Sequence, residues 1–227
     1  MSKITNPDYP GFYFSATVIY MNIKKVYKKL YGYFGSQGWW PIFDIKIGEC
    51  KYNCSENIKQ NNKFEICIGA ILTQNTAWKN VEKALANLSP EISPEKILTH
   101  KKLEKVIQPA GYYNQKAKKL RIFSKWWLQN KKATREELLG LWGIGPETAD
   151  SMLLYAFNQP IFVIDTYTKR LCKELGVEFK EYDEYRKFFE SQLPPDPKLF
   201  NEYHALIVAW GKLYTKDKEK VVKIIAS

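Results

Sequence analysis

The chain has 227 residues, of which 45% are apolar, 15% aromatic and 26% charged, a composition that excludes intrinsic disorder and allows one large domain or two small interleaved ones. Lys and Arg outnumber Asp and Glu by 35 to 24, and the net charge of +11 favours a polyanionic partner. A merely solvated basic surface is the alternative that charge alone leaves open.

Residues 1–20 carry Pro7, Pro10 and Gly11 and read as an irregular leader. The apolar stretch 12–20 is too short to span a bilayer and has no basic start or small-residue cleavage site. A cytoplasmic protein without membrane contact is therefore expected. Ile23, Val26, Tyr27, Leu30 and Phe34 recur at helical spacing. Gly35-Ser36-Gln37-Gly38-Trp39-Trp40-Pro41 follows as a loop, and the polar stretch 44–62 reads as another. Segments 64–72 and 76–88 read as helices, the second stopped by Ser89-Pro90. Pro94 opens a short helix, 103–107 forms another, and 114–129 is basic and amphipathic. Thr134-Arg135-Glu136-Glu137 is a capping box at a helix start. Further helices are predicted over 146–157, with Pro in the first turn, and over 165–175, stopped by Gly176. Two more, 183–192 and 201–213, precede a charged tail. The β-rich run Ile161-Phe162-Val163-Ile164 is short enough to be a connector. The fold class expected is all-α.

Cys50, Cys54, Cys67 and Cys172 make no CxxC pair, so no metal site is expected and the thiols read as reduced. His100 and His204 show no partner that points to a triad or a metal, and read as surface or packing residues. Trp126, Trp127, Trp142 and Trp210 read as core.

The segment 138–171 carries the chemistry. Leu141-Trp142-Gly143-Ile144-Gly145 joins two helices, and two glycines around one apolar residue make a tight hairpin. The following helix would offer free N–H groups and the positive end of its dipole to a phosphate. Ile144 would tuck inward. A plain helix–helix turn with a glycine cap is the competing reading of the glycines alone. Beyond lies Asp165, between an apolar connector and a helix start. It suits an N-cap. A carboxylate there can also stabilise an oxocarbenium-like sugar and orient a water.

Together these residues resemble the helix-hairpin-helix-Gly/Pro-Asp motif of the endonuclease III superfamily of DNA glycosylases, with Pro160 in the Gly/Pro loop and Asp165 as the acid. Gly69-Ala70-Ile71-Leu72-Thr73-Gln74-Asn75-Thr76 resembles the family's early helix end, where a Gln reaches into the duplex. Gly111-Tyr112-Tyr113-Asn114-Gln115-Lys116-Ala117 resembles its G-[FY]-[YF]-N-x-K-A stretch. The resemblance implies two helical domains with a cleft between them: 64–185 as a six-helix domain, and 21–63 with 186–227 as the second. It implies Asp165 as the catalytic residue. DNA contacts would fall to Gln74, Asn75, Lys116, Gly143, Ile144, Gly145 and Thr148, and the partner would be double-stranded DNA with a damaged base, bound by a monomer.

Two departures from the family pattern matter. Glu147 stands where bifunctional members carry a Schiff-base lysine, and a carboxylate cannot form that imine. A monofunctional enzyme follows, with Glu147 either in the base pocket or solvated. No cysteine follows Cys172, so no iron–sulfur cluster is expected; a structural monovalent cation at the hairpin is a family implication only. Gly38-Trp39-Trp40-Pro41 resembles the subfamily that includes 3-methyladenine DNA glycosylase III. With Trp78, these aromatics would form a pocket for a cationic alkylated purine, N3-methyladenine first. Core packing is the competing role for Trp39, Trp40 and Trp78. A glycosylase for a deaminated, mismatched or oxidised base, or a non-catalytic DNA-binding module, are the other readings.

Overall fold

The computed structural model describes residues 4–5, 13–14, 22–53, 60–130 and 132–226. The apolar stretch 12–20 lies largely outside the described residues. β1 (Ile4–Thr5) pairs antiparallel with β2 (Tyr13–Phe14). The rest is helical apart from a second antiparallel hairpin, β3 (Ile42–Asp44) with β4 (Glu49–Lys51). The all-α class holds. No described helix is long and apolar enough to cross a membrane.

Helices α1 (Ile23–Phe34), α2 (Gln60–Leu72), α3 (Trp78–Leu88), α4 (Pro94–Thr99) and α5 (Leu103–Val106) come first. A short 3-10 turn, Gln108–Ala110, precedes α6 (Tyr113–Gln129), α7 (Arg135–Leu139) and α8 (Pro146–Tyr155). Then come α9 (Thr166–Glu174), α10 (Tyr182–Glu190), α11 (Pro197–Tyr214) and α12 (Lys218–Ala226). The local signals explain most of these bounds. Thr134 and Glu137 close the capping box reciprocally at α7. Proline sits in the first turn of α8 and of α11, where no N–H is missed.

Contacts divide the chain into two units, Gly38–Pro160 and Met1–Gln37 with Ile161–Ser227. The expected boundaries near 63 and 185 therefore move. The reason is packing: β3 is tied to α2 by Phe43 N, which donates to Glu65 at 2.7 Å. At the other end Phe162 stacks on Phe189, with centroids 4.2 Å apart and planes 6° apart, so 161–190 joins the chain ends.

In the 38–160 unit, α8 is buried from Thr148 to Tyr155 and is therefore the core helix. It packs on α2, whose buried residues include Phe64, Ile66, Ile68, Ile71 and Leu72. Asp150 of α8 is fully buried and accepts from Arg135 Nε of α7 at 2.7 Å, which fixes the two helices of the hairpin motif to each other. In the other unit, α11 is the hub, packed on α1, α9 and α12. Tyr203 OH donates to Ile23 O at 3.0 Å, and Trp210 Nε1 donates to Val221 O at 3.1 Å.

Three elements depart from the sequence reading. The charged tail folds into α12, whose Val221 and Ile225 are buried four residues apart. Part of the expected 44–62 loop is the β3–β4 hairpin, and α2 starts at Gln60 instead of 64. Ile161–Ile164 is the irregular connector expected.

Candidate active site and nucleic-acid interface

The hairpin of the 38–160 unit is built by its glycines. Gly143 has φ +83°, a left-handed conformation, and a Cβ there would lie 2.5 Å from Lys119 Cε. Ile144 is 5% exposed and faces inward as expected. Gly145 is the N-cap of α8 and supplies no side-chain cap, so the first amides of α8 keep the donor capacity and dipole end that suit a phosphate.

Gln74 is placed differently from the expectation of a residue aimed into a duplex. Its Nε2 donates to Gly143 O at 3.1 Å and to Thr148 Oγ1 at 2.9 Å, while Lys119 Nζ donates to its Oε1 at 2.5 Å. The donor and acceptor sides of the amide are thus fixed by the network. Gln74 braces the hairpin, and Thr148 is a buried part of that brace. Leu141 O accepts from Ile144 N and Gly143 O from Gln74, so both carbonyls take part in the brace. Asn75 is exposed with φ +53°.

Two residues are corrected outright. Lys116 is 1% exposed and donates to Leu72 O at 2.8 Å and Ala110 O at 2.7 Å. It satisfies the last carbonyls of α2 and of the 3-10 turn, and so cannot be a phosphate contact. Burial, then the charge of Lys119, pushes its pKa down to about 8. Trp142, read as core, is 48% exposed in the hairpin, with Lys118 Nζ 4.3 Å above its ring.

The aromatic residues gather in the same unit. Trp40 is 7% exposed and lies against Gly69, where a Cβ would meet its ring at 3.3 Å. It packs edge-on to Trp78 at 5.3 Å and against Tyr155 at 5.0 Å. Trp40 is therefore packing, the alternative left open above, and it supports the half-buried Trp39 and Trp78. Trp39 lies 6.2 Å from the Tyr155 ring. The Trp78 indole N–H is buried without a hydrogen-bond partner among the described residues. Tyr155 escaped the sequence reading, because mid-helix aromatics read as core. Glu147 is exposed in the first turn of α8.

Asp165 lies in the other unit, as the N-cap of α9. Its Oδ1 accepts from Thr168 N at 2.7 Å and from Thr168 Oγ1 at 2.9 Å. Its Oδ2 is 3.6 Å from His204 Nε2 of α11, and the two side chains are 14% and 6% exposed. Burial is the largest influence on this carboxyl and opposes ionisation. The nearby His204 at 3.6 Å, then the two Thr168 bonds, outweigh it and hold the pKa below the usual carboxylate range. Asp165 is thus a fixed, ionised carboxylate with an edge open to solvent. His204, expected as a surface or packing residue, stands instead beside the acid; no sequence signal links two residues so far apart.

Residues 68–195 match the model of the HhH-GPD superfamily of base excision DNA repair proteins. A Methanocaldococcus jannaschii protein provisionally named a DNA repair glycosylase is 42% identical over 86% of this chain and 90% of its own length. Endonuclease III of Thermotoga maritima is 29% identical over 71% of the chain and 79% of its own length. Among solved structures, Helicobacter pylori 3-methyladenine DNA glycosylase bound to 1,N6-ethenoadenine is 30% identical, with a TM-score of 0.68 over 87% of this chain and 97% of that one. An endonuclease III trapped covalently on DNA shares the fold at 20% identity, with a TM-score of 0.68 over 86% and 87%. The glycine-cornered hairpin, the ionised acid that caps α9 and these likenesses agree: the chain is a DNA glycosylase of base excision repair and belongs to the HhH-GPD superfamily.

Proposed function

We propose that this protein is a monofunctional glycosylase that hydrolyses the bond between the sugar and an alkylated purine, N3-methyladenine first. The carrying observation is Asp165, ionised and held at the head of α9 by Thr168. The hairpin grips the backbone of a damaged duplex, and the lesion leaves the stack. The glycosidic bond then breaks with its electron pair departing on the base. An alkylated purine carries positive charge and leaves neutral, so little acid assistance is required. The Asp165 carboxylate stabilises the oxocarbenium-like sugar and orients a water, which bonds to the anomeric carbon and gives up a proton to the solvent.

Three further observations support the finer reading. Glu147 offers no amine for an imine. Trp39 and Trp78 are half-buried aromatics, a residue type that suits a cationic purine. The 30%-identical solved relative is a 3-methyladenine glycosylase holding an ethenoadenine, which makes that adduct the second substrate to try. A cytoplasmic monomer without an iron–sulfur cluster belongs to the same proposal.

A panel of duplexes, each with one lesion, is scored for released base. Release of methylated or etheno purines above oxidised or deaminated bases is the expected result. Asp165→Asn keeps an acceptor for Thr168, so the cap and DNA affinity stand while release falls by at least about 100-fold. Release at the wild-type rate would remove Asp165 from the mechanism. Borohydride should not trap the protein on abasic DNA; efficient trapping would refute monofunctionality.

A further inference from the structure

We propose that His204 is a positioning residue for Asp165: from α11 it fixes the free carboxylate oxygen, Oδ2, in the orientation that meets the sugar. This rests on the reading of Asp165 as the catalytic carboxylate. Thr168 occupies Oδ1 with both its backbone and hydroxyl donors, at 2.7 and 2.9 Å. Those bonds hold one oxygen and leave the outer one to swing about the Oδ1 anchor. His204 Nε2 lies 3.6 Å from that outer oxygen, on a different helix.

The imidazole is only 6% exposed, on a helix packed along α9, so it has little room to turn away. A nitrogen facing a carboxylate oxygen must carry its proton, because two acceptors would repel. The contact is longer than a good hydrogen bond and acts chiefly through charge and dipole at low exposure. Among the described residues, His204 and Thr168 are the groups that bear on this carboxyl. The two ends of the carboxylate are therefore governed by different elements: the cap by α9 itself, the reactive edge by α11.

The test is single-turnover base release at saturating DNA, from the best lesion of the panel above, alongside DNA affinity and thermal unfolding. His204→Leu removes the donor, and His204→Gln restores a neutral N–H near the position of Nε2. The expected result is a release rate lowered by about 10–100-fold in the leucine variant, the scale of a small misplacement of a reacting group. Its DNA affinity should stay within about twofold, and the glutamine variant should recover most of the rate. If the leucine variant does not fold, His204→Asn, polar but too short to reach Oδ2, replaces it and should be slow where glutamine is fast. Wild-type rates in the leucine or asparagine variant overturn the inference, as do equal losses in all variants that track only the folded fraction. If Asp165→Asn also releases base normally, the reading of Asp165 fails first. A slow Asp165→Asn beside a fast His204→Leu sinks the role of His204 alone.

Discussion

Replacing Lys116 by methionine separates structural from DNA-binding lysines in this chain. The Lys116 ammonium is buried and serves two backbone carbonyls, Leu72 O and Ala110 O. Hydrogen bonds from a charged donor are worth about 1.5–3 kcal/mol each, so the variant forgoes roughly 3–6 kcal/mol and leaves two carbonyls unmet. Against this stands the cost of burying the charge. A pKa lowered from 10.5 to about 8 represents roughly 3 kcal/mol at neutral pH. Methionine escapes that cost, and the net loss is about 0–3 kcal/mol, or a Tm lower by up to roughly 10 °C for a chain of this size. The pH dependence has a definite sign. Because the folded pKa lies below the unfolded one, the unfolded chain binds more protons between about pH 8 and 10.5. Wild-type stability gains from position 116 as pH rises through that window and loses that gain as pH falls. Methionine does not titrate, so the deficit of the variant widens from pH 8 upward. Denaturant unfolding at pH 7 and pH 10 measures this. Salt titration of DNA binding supplies the second axis, since a lost phosphate contact lowers the log–log slope by about 0.9 and a lost structural lysine does not. Unchanged stability with a slope reduced by that amount would refute the structural assignment.

Arg135→Ala removes the guanidinium that pairs with the fully buried Asp150 and should cost about 3–5 kcal/mol in denaturant unfolding, with a double Arg135→Leu, Asp150→Leu variant recovering part of it. Gly143→Ala forces a side chain into left-handed backbone and against Lys119. It should lose about 1–2 kcal/mol of stability and weaken DNA binding by roughly tenfold, whereas Gly145→Ala, at φ −93° with nothing near its Cβ position, should be much milder. Lys118→Ala, which leaves the Trp142 ring in place, should reduce the salt slope of DNA binding by up to about 0.9 without altering base release at saturating DNA.

The legible part of this protein was local. Helical spacing, the Thr134–Glu137 capping box, proline in the first turn of α8 and the glycine pair of the hairpin all act within about four residues, so the sequence carries them directly. Asp165 belongs to the same class, because an acid before a helix start is both an N-cap signal and the last element of the family motif. What stayed hidden depends on distant partners. Lys116 and Lys118 sit on one helix two residues apart, yet the first is buried against α2 and the second stands over Trp142. Nothing in a lysine's sequence context tells a buried donor from a surface charge. Trp40, open between pocket and core, is buried, and Trp142, expected as core, is exposed, because burial of an indole is decided by what folds over it. Residues 218–226 read as a tail until Trp210 and α11 gave Val221 a surface to cover. His204 lies 39 positions beyond Asp165, and only the packing of α11 on α9 brings them within 3.6 Å. The sequence alone determined the helical class, the hairpin and its acid, because short-range sterics and hydrogen bonding write them. The tertiary structure alone decided which charges are buried and which side chain stands beside the carboxylate, because those depend on distance through space and not along the chain.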